Sequence, residues 1–89
     1  MIPRNLLFEA LGTFTLTFAV LASGNSAIVV AVYAAILWIA GNLSGAAVNP
    51  AIGLAMYMNG QLTGTQFLFY TVAQAVGAVL SVVMYQWIQ

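Results

Sequence analysis

The residues of this 89-residue chain that could do polar chemistry are few and regularly placed. Ser44-Gly45-Ala46-Ala47-Val48-Asn49 runs on into Pro50-Ala51, an SGAxxNPA block within an otherwise apolar stretch. Asn5, Glu9, Thr13 and Thr17 recur every fourth residue, so a helix carrying them presents one polar face that drifts slowly about its axis. Ala73, Gly77 and Ser81 repeat that spacing as a small-residue stripe for close helix packing, with Gln74 beside it. This set can donate and accept hydrogen bonds and do little else. With no histidine and no lysine there is no base for a Ser/His-type hydrolase. One carboxylate and no cysteine leave no metal site, no thiol chemistry and no disulfide. A single basic residue, Arg4, rules out a phosphate-binding surface and nucleic-acid partners. The expectation is therefore no enzyme, no cofactor and no metal.

Composition says what solvates the elements that hold these residues. The chain is 64% hydrophobic and 2% charged, where a soluble domain carries about 25% charged residues. Its solvent must be lipid. A helix needs about 20 residues to cross ~30 Å of hydrocarbon, and three stretches qualify, at about 5–22, 27–42 and 65–88. Ser23-Gly24-Asn25-Ser26 is the turn between the first two, while Tyr85 and Trp87 suit the aromatic belt at the end of the third. The stretch at about 44–59 is too short to cross. From Pro50 to Met58 a helix would rise roughly 13 Å. Pro50 fits the first helical turn and Asn49 the N-cap, so this segment reads as a re-entrant half-helix. Backbone that leaves a helix inside a bilayer must line a cavity or be buried in protein, which is why the block matters. The competing reading of the N-terminus is a signal peptide, from Arg4 and the apolar run ending near Ala22-Ser23-Gly24. Glu9 inside that run, and the span that cleavage would remove, argue against it.

The SGAxxNPA block resembles the signature loop of the aquaporin and glycerol-facilitator family, the major intrinsic proteins. Phe8-Glu9-Ala10-Leu11-Gly12-Thr13-Phe14 resembles the family's first-helix pattern, and Ala73-Gln74 with Gly77-Ala78 its third-helix AQxxGA pattern. The signature occurs twice in a family chain and once here. The resemblance thus implies an all-α membrane protein of three transmembrane helices plus one re-entrant half-helix: one repeat of the aquaporin fold spanning 1–89. It also implies a passive channel for water and small neutral solutes such as glycerol. In such a channel two half-helices meet near the midplane with their positive N-terminal ends facing, which disfavours protons. Asn49 would donate to passing water, with Pro50 and Ala51 at the junction and the carbonyls of Gly45, Ala46, Ala47 and Val48 as the accepting ladder. Glu9, with Thr13 and Gln74, would brace the loop from behind. Three positions depart from the family pattern. Ala47 stands where His is frequent, Ile52 where a second repeat carries the filter Arg, and Val29 at the second-helix filter position, with Leu37 and Trp38 as further candidates to face the pore. An apolar, wider constriction with weaker exclusion of ions follows.

One repeat cannot surround a pore, so the chain needs partners. Two copies related by a two-fold axis in the membrane plane would reproduce the inverted repeat, and four such pores side by side would make an octamer. Only Arg4 and the adjacent N-terminal amine bias orientation, which suits insertion in both directions. The alternatives are a hetero-oligomeric channel with a different half-chain, a small dual-topology proton-coupled transporter using Glu9, and a non-conducting subunit. The transporter would want a fourth span. Met56 and Met58 read as packing, and Gly77 as a helix crossing point.

Overall fold

A computed structural model describes residues 3–89 and contains four helices, with no strand among the described residues: α1 Arg4–Ser23, α2 Ser26–Ala40, α3 Pro50–Met58 and α4 Gly64–Ile88. Each begins or ends on local chemistry. Gly24 adopts φ 55° and its N–H closes α1 on the Val20 carbonyl, while the Asn25 carboxamide oxygen accepts from the Ala27 and Ile28 amides. Two residues thus stop one helix and start the next, giving an antiparallel pair. Asn49 caps α3 by accepting from the Ala51 N–H at 2.7 Å, with Pro50 in the first turn. Thr63 and Gln66 form a reciprocal capping box at the start of α4.

The α2 helix stops at Ala40, two residues short of the expected end at Asn42. Residues 41–44 continue as hydrogen-bonded turns, with the Leu43 and Ser44 amides both donating to the Ala40 carbonyl. The cause is tertiary. Ser44 is held by side chains of α1 and α4, described below, and these draw the chain out of the helix.

Packing is tightest where side chains are smallest. On α4, Gly77 lies against α1 so closely that a Cβ there would strike the Ala10 carbonyl oxygen and lie 3.0 Å from the Phe14 nitrogen. Ser81, one turn further along, hydrogen-bonds the Thr17 hydroxyl at 2.7 Å, and the Phe18 ring meets Tyr85 edge-on at 6.4 Å. The α3 helix leans on α4 through the stacked rings of Tyr57 and Phe67, 5.8 Å apart. Between α1 and α2, Ile36 and Ala40 close over Ala46 and Val48 of the loop, flanked by Phe8, Leu16 and Tyr33.

The distribution of polarity is inverted relative to a water-soluble protein. Glu9, Thr13, Ser44, Gln74 and Ser81 are buried, whereas Trp38 and Trp87 are 87% and 85% exposed and Val30, Val79 and Leu68 also face outward. A surface of this kind is stable only in an apolar solvent. The longest dimension, 40 Å, exceeds the ~30 Å hydrocarbon thickness.

Candidate pore loop

Residues 44–49 leave helical geometry, and backbone that does so inside a bilayer must be buried in protein or line a cavity. Gly45, Ala46 and Val48 all take positive φ, at 83°, 48° and 44°. For glycine this is free, but left-handed backbone costs an L-residue about 1–2 kcal/mol, and a β-branched residue adopts it rarely. Strain of that kind persists only where surrounding groups over-determine the conformation. Here they do. The Val48 N–H donates to Glu9 Oε1 at 2.8 Å, and the Val48 carbonyl accepts from the Thr13 hydroxyl at 3.2 Å. Glu9 and Thr13 lie one turn apart on α1, so a single helix face grips one residue by both its peptide groups.

Glu9 is fully buried, with no salt bridge among the described residues, and its oxygens are satisfied by hydrogen-bond donors. Besides Val48, it accepts from the Gln74 side-chain amide at 2.9 Å on Oε1 and from the Ser44 hydroxyl at 2.5 Å on Oε2. Three donors from α4, the loop and its entrance converge on one carboxyl group, which is how such a group is tolerated away from water. Ser44 in turn accepts from the Ala46 N–H at 3.1 Å, and its carbonyl accepts from the Tyr70 hydroxyl at 2.8 Å.

The loop delivers Asn49 to an exposed position at the head of α3. With Oδ1 held by the Ala51 amide, the side chain is fixed while Nδ2 donates to no described residue. Asn49 and Pro50 border a cavity of about 280 Å³ whose other walls are Thr13 and Thr17 of α1, Thr71, Gln74, Ala75 and Ala78 of α4, and Val48. The carbonyls of Gly45, Ala46 and Ala47 accept from no described residue, whereas those of Ser44 and Val48 are engaged. Gln74 Oε1, buried, also lacks a partner among the described residues. The arrangement offers one fixed amide donor at the edge of the cavity, while the buried Ala46 and Ala47, like Gly45, lie outside its lining.

The remaining singled-out residues lie as follows. Ala46, Ala47 and Val48 are buried, while Gly45, Ala51 and Ile52 are exposed. Val29 is half-buried in the first turn of α2, and neither it nor Ile52 borders the cavity beside Asn49. Leu37 and Trp38 are exposed near the far end of α2. Ala73, Gly77 and Ser81 line the α4 face toward α1, half-buried, buried and buried. Sequence reasoning missed Tyr70 and assigned Ser44 no part beyond the motif. A usable signal existed for the first: Tyr70 stands one turn before Gln74, on the face that continues to Gly77 and Ser81.

Comparison with known proteins gives the chain its family. The family model described as "Major intrinsic protein" matches residues 2–89. The chain is 33% identical over 94 residues to the aquaglyceroporin AqpS of Rhizobium meliloti (strain 1021), covering 88% of this chain and 40% of that protein. It is 39% identical over 49 residues to the probable aquaporin TIP2-2 of Oryza sativa subsp. japonica, covering 55% of this chain and 20% of that one. It therefore spans less than half the length of these curated relatives. No solved structure matches the chain at the same standard. Members of the matched family are channels rather than enzymes. A family match over nearly the whole length, two helices long and apolar enough to cross a bilayer, and the Asn49 loop agree: the chain belongs to the major intrinsic protein family and is an integral membrane protein.

Proposed function

We propose that the chain forms a passive channel for water and small neutral solutes such as glycerol by pairing with an inverted second copy of itself. The observation that carries this reading is the Asn49 side chain, fixed by the Ala51 amide with its own amide donor free, at the edge of a cavity between α1 and α4. A solute that accepts hydrogen bonds would find the Asn49 amide in place of part of its hydration, and in the resemblance the loop carbonyls of residues 45–48 would supply the acceptors. A cation would be repelled by the positive end of α3. The names of the relatives, an aquaglyceroporin and a probable aquaporin, support the same solute class.

In this reading Glu9, Thr13 and Gln74 brace the loop, Pro50 and Ala51 meet their counterparts across the dimer axis, and Val29 and Ile52 form an apolar constriction from the two copies. Ala73, Gly77 and Ser81 pack α4 on α1. Four antiparallel dimers side by side would make an octamer. The weak orientational bias of Arg4 permits the mixed insertion that an antiparallel dimer needs.

The test is stopped-flow light scattering of vesicles reconstituted with this chain alone, under a sucrose and then a glycerol gradient. The expected result is fast shrinkage that is lost in Asn49→Asp, with reswelling in glycerol. Permeability equal to that of empty vesicles, despite confirmed insertion, would overturn the self-sufficient pore and point to a different half-chain as partner.

A further inference from the structure

Ser44 is engaged at every polar atom, and its partners come from four places. Its N–H donates to the Ala40 carbonyl at the end of α2, and its hydroxyl donates to Glu9 of α1 and accepts from Ala46 of the loop. Its carbonyl accepts from Tyr70 of α4 at 2.8 Å. It is also the last residue before positive-φ backbone begins at Gly45. Whatever fixes Ser44 fixes the height at which the chain leaves α2, and hence where the carbonyls of residues 45–47 and the Asn49 amide lie. The Ala40, Ala46 and Glu9 bonds tie Ser44 to its own hairpin and loop. Tyr70 is the contact that refers it to α4, the element carrying Gln74 and the opposite wall of the cavity.

We infer that Tyr70 and Ser44 form a latch between α4 and the loop entrance, and that both are positioning residues for the permeation path, setting the register of its acceptors relative to Asn49. This rests on the reading of the loop as the path. Tyr70 is buried at 4% exposure and packs on Ala47 and Leu62, so its ring already holds its place and its hydroxyl is free to serve orientation. Removing the hydroxyl alone leaves the packing intact and the Ser44 carbonyl without its donor.

Tyr70→Phe is the variant to make, with Ser44→Ala and the hydroxyl-retaining Ser44→Thr beside it. Two readouts are taken on each. Amide hydrogen exchange of the reconstituted protein is read at Ala46 and Val48 against the amides in the middle of α1. Tyr70→Phe should accelerate exchange at Ala46 and Val48 about fivefold to tenfold, the effect of one lost hydrogen bond, and Ser44→Ala, which removes both hydroxyl bonds, by at least as much, with α1 unchanged in each. Ser44→Thr should stay within about twofold of the parent, since the hydroxyl bonds survive. In vesicles the ratio of glycerol to water permeability should shift in the same two variants and not in Ser44→Thr. A merely structural loss would speed exchange throughout and lower both permeabilities in proportion. Parent-like protection at Ala46 and Val48 in Tyr70→Phe, or a uniform rise in exchange, overturns the latch. If the parent chain proves impermeable, exchange still decides: local acceleration upholds the latch while the channel reading fails.

Discussion

Replacing Gly77 by alanine gives the most decisive test of how this fold is held, because two rules predict opposite signs. By helix propensity alone, Gly→Ala inside a helix stabilises by about 1 kcal/mol. The structure predicts a large loss. The new Cβ would strike the Ala10 carbonyl oxygen, with the Phe14 nitrogen at 3.0 Å and the Ala10 carbonyl carbon at 3.1 Å. All three are backbone atoms of α1, so no rotamer change can give way. Restoring contacts of ~3.5 Å moves α4 off α1 by on the order of 1 Å. Two hydrogen bonds flank the crossing, Gln74 to Glu9 at 2.9 Å and Thr17 to Ser81 at 2.7 Å. The shift stretches both beyond ~3.5 Å, where they cease to count. Their loss costs about 3 kcal/mol, the neutral bond about 1 and the carboxylate bond about 2. Overpacking adds roughly 1–3 kcal/mol, which the propensity gain offsets only in part. The net expectation is a destabilisation of about 3–5 kcal/mol. Reversible unfolding in mixed micelles, followed by the fluorescence of Trp38 and Trp87, measures it. A variant as stable as the parent, or more so, would refute the close α1–α4 crossing.

Three further outcomes follow from the loop. Val48 is buried and left-handed, so Val48→Gly should be no less stable than Val48→Ala. The extra methyl lost, ~0.8 kcal/mol, is balanced by ~1–2 kcal/mol of relieved backbone cost; a glycine variant lower by more than about 1 kcal/mol in the same titration would count against the strained geometry. Glu9→Gln keeps an acceptor for the Val48 and Gln74 amides and should lose only about 1–2 kcal/mol, whereas Glu9→Ala orphans three buried donors and should cost at least about 3. Neither the parent nor Glu9→Gln should drive proton flux when solute moves across vesicles, and coupled flux abolished by Glu9→Gln would replace the channel with a transporter.

Much of this was legible in the sequence, for identifiable reasons. The solvent could be read from 2% charge, and the helical class from apolar runs of spanning length. The four-residue spacing that places Glu9 and Thr13 on one face is local, and in the structure both reach Val48. Asn49-Pro50 spelled the start of α3 because a cap and a first-turn proline are properties of the residues themselves. What escaped was set by long-range contacts. Val48 has no intrinsic reason to turn left-handed; it does so because α1, 35 and 39 residues earlier, holds it from both sides. Tyr70 acts on Ser44 across 26 residues, and the early end of α2 is the same event seen from the other side.

The buried carboxyl also bears on the order of synthesis. Glu9 precedes each of its donors, which follow 35, 39 and 65 positions later. When α1 first emerges, it carries into the membrane an acid with no partner. The last donor arrives only when α4 is well advanced. A helix in that condition gains little by leaving the insertion machinery for lipid alone. Assembly should therefore run as a collective event in which α1 is retained until the loop and α4 close on it, rather than as independent helices released in turn.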